Sequence, residues 1–207
     1  EVFVEPTIAA GYPASYPATF EVDPPERITN WKPLVQWILA IPHWLVVNAL
    51  SSLSQIVAII SWFAILFTGR LPEGLASAQH LYIRYANRTV AYTAFLREEY
   101  PPFVFGTTAE DQGEYPDVRT SFVPQYEDRN RVTVGFRLIL VIPHFIVLAV
   151  LGIAAALVVF VWVFVVLFTG RWADGVRDFV VGVMRWNTRV SAYFLLLTDE
   201  YPPFSLD

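Results

Sequence analysis

The sequence predicts an all-α integral membrane protein: a tandem duplication of a two-helix unit, giving four long helices, with short flanking β-strands that form a small extramembrane sheet. Three observations carry this. Phe145 to Phe168, FIVLAVLGIAAALVVFVWVFVVLF, is 24 residues without a charge; at about 1.5 Å per residue it reaches roughly 36 Å, enough for a hydrocarbon core of about 30 Å. A matching stretch runs from Trp44 to Phe67. An offset of 101 then lays one half of the chain on the other without a gap, with 25 of 67 positions identical between residues 37 and 103 and their counterparts. Tandem repeats of this kind build pseudo-symmetric bundles.

Composition agrees. Of 207 residues 55% are hydrophobic and only 16% charged, the profile of a membrane protein. Net charge is −5 and the basic residues are scattered, so no basic stripe argues for nucleic acid. There is no cysteine, which removes disulfides, thiolate metal sites and cysteine nucleophiles together.

In chain order, residues 1–18 are rich in Pro, Tyr and Ala without a period and read as an extended arm. Repeat 1 occupies 19–105, a polar linker 106–118, and repeat 2 119–207. Each repeat opens on a short strand (Ala18 to Val22; Arg119 to Val123) and an acid-Arg pair (Glu26-Arg27; Asp128-Arg129). A short amphipathic helix follows, up to Pro42-His43 or Pro143-His144, where the missing proline N–H predicts a kink. The long apolar helix comes next and ends at Gly69-Arg70 or Gly170-Arg171, where glycine suits a left-handed C′ position and arginine the negative helix end. A second helix starts at Glu73 or Asp174 and runs to Leu96 or Leu197. Each repeat closes on EYPPF and a short strand, Phe103 to Phe105 or Phe204 to Leu206.

If the second helix also crosses, both ends of each repeat lie on one side and the four short strands can pair there. The segment from FTGR through helix two is net positive in both repeats, whereas residues 97–132 are net negative. The positive-inside bias then puts FTGR on the cytoplasmic side. Arg70 and Arg171 are expected on one membrane face and residue 110 on the other.

The residues that recur, IPH before the apolar run, LFTGR after it, then RW..R..AY and DEYPPF, carry a family resemblance. The chain resembles an uncharacterised, mainly actinobacterial membrane-protein family of unknown function, over nearly all of residues 18–207. Repeat 1 departs from the pattern at Tyr85, where the family has Trp, and at GLASAQH. The resemblance implies a membrane protein and carries over no activity, substrate or catalytic residue.

Several side chains draw a functional reading and a structural one. Arg84, Arg88, Arg185 and Arg189 stand at i, i+4 on equivalent helix faces. They are candidates for binding an anion or anionic lipid headgroup, or for intramolecular pairing, since arginine at bilayer depth costs a few kcal/mol unless it reaches water, a carboxylate or a phosphate. His43 and His144 lie at equivalent kinks, and no carboxylate accompanies them at ligand spacing, so bonding to backbone carbonyls freed by the proline is expected and metal binding is not. Asn48, Ser52 and Gln55 face Gly152 and Ala156 in the alignment, which predicts that the two long helices pack there.

No Ser-His-Asp grouping, phosphate loop or metal-ligand pattern is present, so no catalytic centre and no cofactor are expected. The sequence reads as a multi-pass protein of the cell membrane. Its expected role is that of a non-catalytic accessory or scaffold subunit, with membrane lipids and a protein of the same complex as partners. Binding or transport of an anionic lipid or small anion through the helix-two arginines is the alternative.

Overall fold

The computed structural model describes residues 16–115 and 117–207, so most of the expected arm lies outside the described residues. Nine elements follow in order: β1 (Ala18–Val22), α1 (Lys32–Leu39), α2 (Ile41–Thr68), α3 (Glu73–Thr93), β2 (Val118–Phe122), α4 (Arg131–Gly135), α5 (Arg137–Leu140), α6 (Ile142–Thr169) and α7 (Asp174–Phe194).

Local chemistry sets most boundaries. Pro42 and Pro143 fall in the first turn of α2 and α6, where an N–H would have no helical partner. One residue before each long helix, Ala40 and Val141 keep right-handed helical dihedrals (φ −75° and −82°). Gly69 and Gly170 end the long helices with φ of 73° and 65°, their N–H groups donating to Ile65 and Val166 carbonyls. At Gly170 a side chain is excluded twice, because a Cβ would also stand 2.9 Å from the Ile28 carbonyl oxygen. The second helices stop in an unusual way: Phe95 and Leu196, 101 apart, both take positive φ (58° and 69°). The following N–H groups reach back to Ala91 and Ala192 at 3.0 and 2.9 Å, the wrap that normally recruits glycine. Both αL residues are fully buried, so packing offsets the backbone strain.

The elements stack in three layers. The outermost is α2 and α6. Beneath them lie α3 and α7, each packed along the long helix of its own repeat. The third layer is the two-stranded sheet, with β2 against α3 and β1 against α7, together with the linker. β1 and β2 pair antiparallel, Ala18 opposite Phe122 and Phe20 opposite Thr120. The short helices cross over, α1 onto α6 and α4 onto α2; the Trp62 indole donates to Val134 O at 2.9 Å.

These contacts correct the expected topology in three respects. Among the described residues two helices, not four, are long and apolar enough to cross a membrane: α2 and the α5–α6 stretch. Buried Gln79, His80, Arg84, Asn87 and Arg88 keep the hydropathy of α3 low, and Asp174, Arg177, Asp178, Arg185 and Arg189 do the same in α7, whose buried positions are mostly apolar. The expected strands at Phe103 to Phe105 and Phe204 to Leu206 do not form, and the sheet has two strands rather than four; these segments are held by ring stacking instead. The repeats are also inverted rather than parallel. Gly69 O accepts from the Arg129 N–H, and Gly170 O from the Ile28 N–H. The end of each long helix therefore lies beside the start of the other repeat, and Arg70 and Arg171 stand at opposite ends of the molecule.

Candidate functional site

The four candidate arginines meet the sheet layer. Arg84 Nε donates to Thr120 O at 3.2 Å and Arg185 Nε to Phe20 O at 3.3 Å. Thr120 and Phe20 are the opposed residues at the middle of the strand pair, so each repeat clasps the strand that belongs to the other.

Beyond this shared clasp the repeats diverge. Arg84 is fully buried, bonded also to the carbonyls of Gly106, Thr108 and Ala109. Its Nε stands 3.2 Å from an Asp111 carboxylate with only 1% side-chain exposure. Arg88 reaches Asp111 at 3.4 Å and Glu114 at 2.5 Å. Burial pushes the Arg84 guanidinium below its usual range while Asp111 opposes that shift. The polar stripe of α3 formed by Ser77, His80, Arg84, Asn87 and Arg88 is therefore buried from His80 onward, with linker acids that periodicity does not single out closing over its arginines. A sequence signal existed in the linker, where Glu110, Asp111, Glu114 and Asp117 stand together. Nothing in a helical period says which arginines they meet.

In repeat 2, Arg189 is buried and donates to the backbone oxygens of Ser205 and Asp207. Arg185 is half-buried and has no carboxylate partner among the described residues. The structure thus splits the four arginines into a neutralised pair and a pair bound by carbonyls.

A second charged cluster lies apart from these arginines, at the start of α4. The Asp199 carboxylate accepts from Arg129 at 2.6 Å, Arg137 at 2.5 Å and the Asn130 N–H at 2.7 Å. Burial alone would raise its pKa, but the hydrogen bonds and charges of Arg129 and Arg137 hold it below the usual carboxylate range. Arg137 also lies over the Tyr193 ring, 4.3 Å from its centroid. The counterpart in repeat 1 is Glu98, which receives Lys32 at 2.7 Å and the Thr29 backbone and hydroxyl. The acid immediately before EYPPF in each repeat thus anchors the entry to the short helix.

The histidines differ from expectation. His43 Nδ1 lies 2.7 Å from the Tyr85 hydroxyl, and His144 Nδ1 accepts from Trp186 Nε1 at 3.1 Å. Neither bonds a freed backbone carbonyl: Nδ1 of each ring is engaged instead by Tyr85 or Trp186 of the second helix. Each ring is stacked on a phenylalanine of EYPPF, Phe103 at 4.2 Å and Phe204 at 4.0 Å. The replacement of Trp by Tyr at position 85 preserves one polar contact to the imidazole. No group of three or more potential metal ligands occurs among the described residues.

The expected long-helix contact is also absent. Asn48, Ser52 and Gln55 are exposed; Asn48 and Ser52 satisfy themselves on the carbonyls of Trp44 and Asn48, one turn back. A Cβ at Gly152 would touch nothing within 4 Å. Gly152 and Ala156 line a largely apolar cavity of about 560 Å³ between α6, α7 and α3, with Trp37 and Trp44 on its wall. On α2 the polar bond to a neighbouring helix nearest the Asn48 stripe is Ser54 with Gln79 of α3, one position from Gln55. Of the turn residues, Gly69 and Gly170 act as expected, whereas Arg70 is exposed, 3.7 Å from Glu127, and Arg171 is exposed.

A family model described as a domain of unknown function, DUF4389, matches the chain twice, over residues 30–104 and 131–205. No curated protein and no solved structure matches the chain.

Proposed function

Because the chain belongs to the DUF4389 family, whose domain of unknown function it carries twice, we propose from geometry alone that it is a non-catalytic accessory or scaffold subunit in the cell membrane. One observation carries the reading. The buried charges are engaged within the fold by Asp111, Glu114, Asp199 and backbone oxygens, while large apolar side chains stand exposed along α2 and α6, among them Leu53, Ile60, Phe67, Val150, Leu157 and Phe168. What such a surface offers is contact area for lipid and for apolar helices of a partner, and no converging set of reactive groups. Purification from the native membrane in mild detergent tests this. Polypeptides that co-purify in fixed ratio support a scaffold; a single chain with no companion at any detergent concentration removes that role.

A specific observation keeps a second reading, binding of an anionic lipid or small anion, and narrows it. In repeat 1 the linker carboxylates already occupy the guanidiniums, so this role falls to Arg185 and Arg189. Bound anionic lipid detected by native mass spectrometry, and lost in Arg185→Gln while the protein stays folded, would favour it.

A further inference from the structure

We propose that α2 and α6 lie in the plane of the membrane, embedded side-on in one leaflet, rather than crossing it. This rests on the membrane reading above and goes beyond it by fixing how the molecule sits.

The argument starts from the three layers. On α3, Gln79 meets Ser54 of α2, while Arg84 meets Thr120 of β2. Helix geometry puts the stripe of Gln79, Tyr82 and Ala86 on the opposite side of α3 from that of Arg84, Arg88 and Ala91. The sheet and linker therefore lie beyond α3, across from α2, and not beyond the helix ends. The strand pair is centred on Phe20 and Thr120, which are clasped from the middle of α7 and α3 by Arg185 and Arg84.

This placement makes an upright orientation costly. With α2 along the bilayer normal, the middle of the sheet layer would fall near the bilayer midplane. Its outer face carries exposed Thr19, Glu21 and Arg119, with Glu110 on the adjoining linker, and Glu21 pairs with Arg119 at 3.5 Å on the surface. A charged side chain at that depth costs a few kcal/mol even on permissive scales.

Laid flat, the same molecule has no such conflict. Ile146, Val150, Ile153, Leu157, Phe164 and Phe168 are all exposed on α6, spaced to form one stripe along its length. α2 contributes Leu45, Leu53, Ile56, Ile60, Phe63 and Phe67 in the same manner. Both stripes face away from the sheet, so hydrocarbon covers the apolar layer and water covers the charged one, as for an interfacial helix pair. These helices are apolar on both sides because their inner faces pack on α3 and α7.

The chain has no cysteine, so single replacements at exposed sites report topology directly. Arg70→Cys, Arg171→Cys and Glu110→Cys would be expressed separately. Each would be washed with alkaline carbonate to establish membrane retention and then labelled with an impermeant maleimide in intact spheroplasts and in inverted vesicles. Side-on embedding predicts that all three positions label from one and the same side. Labelling of 70 and 171 from opposite sides means the inverted helices cross, and overturns the proposal. Labelling of 70 and 171 from one side with 110 on the other means four crossings, and also overturns it. Release of the protein by carbonate removes the membrane reading itself, an outcome separate from either of these. As a second measure, nitroxides at Ile56, Leu157 and Phe164 should report equal lipid depth, whereas a crossing helix gives a gradient along its length.

Discussion

Asn87 donates its amide to the Thr188 hydroxyl at 2.9 Å, and the two residues stand 101 apart, at the same place in the two repeats. The pseudo-two-fold axis relating the repeats therefore passes between them. In a symmetric dimer a residue on the axis pairs with its own copy. Here the duplicated positions have diverged into an amide and a hydroxyl, and the Thr188 hydroxyl donates a hydrogen bond to Met184 O at 2.9 Å. The contact joins α3 to α7 at the centre of the molecule, where both residues are buried.

Thr188→Val should remove this acceptor and leave Asn87 with Thr120 Oγ1 at 3.2 Å as its remaining partner. The expected cost is about 1–2 kcal/mol, read as a lower melting temperature in detergent with helical content unchanged. An unaltered melt would show that the axis is held by apolar contacts alone.

The two arginine pairs form an internal control. Asp111→Asn leaves Arg84 and Arg88 buried with half their counter-charge, which should destabilise the fold by about 3–5 kcal/mol. Arg185→Gln removes a half-buried cation with one carbonyl bond and should cost about 1 kcal/mol. Chemical denaturation of the two variants side by side checks the ranking, and equal losses would refute the asymmetry between the repeats.

Gly152→Leu tests the cavity. Because a Cβ at Gly152 meets nothing within 4 Å, the larger side chain should extend into the space between α6 and α7 and leave the melting temperature unchanged or raised. Overpacking of a closed helix interface would instead cost about 1–3 kcal/mol, so a clear drop would mean that α6 packs more tightly than described.

Acid should destabilise the protein in a defined window. His80 is buried, stacked on Phe122 at 4.9 Å and 3.3 Å from Thr107 O; burial pushes its pKa down to about 4, the Thr107 bond opposing and Arg84 assisting. The fold thus favours the neutral ring. Its stabilising effect is complete above the ordinary value of about 6.5 and is lost as pH falls from there towards about 4. His80→Phe keeps the stacking and should flatten the decline of stability between pH 6.5 and 4. Asp199, also held below its ordinary range, gives up its contribution only at lower pH, so the His80 variant should still unfold in strong acid.

The duplication, the two apolar helices, their proline starts and their glycine ends were all legible in the sequence, because each depends on residues adjacent in the chain or on a repeat at fixed offset. Pro42, Gly69, Pro143 and Gly170 act through their own backbone, wherever the rest of the chain goes. The tertiary structure decided how the repeats meet and what the arginines touch. Inversion depends on the path of residues 97–130, whose pairing energy comes from Asp111, Glu114 and Thr120 meeting side chains 23–36 residues away. The periodicity of α3 marks a polar face, yet water and a buried carboxylate satisfy an arginine equally well as far as helical spacing is concerned. Alignment set Gly152 beside the Asn48 stripe, but whether equivalent positions touch depends on where the symmetry axis falls. It falls at Asn87 and Thr188, so α3 and α7 make the central contact, and α2 and α6 do not pack along each other.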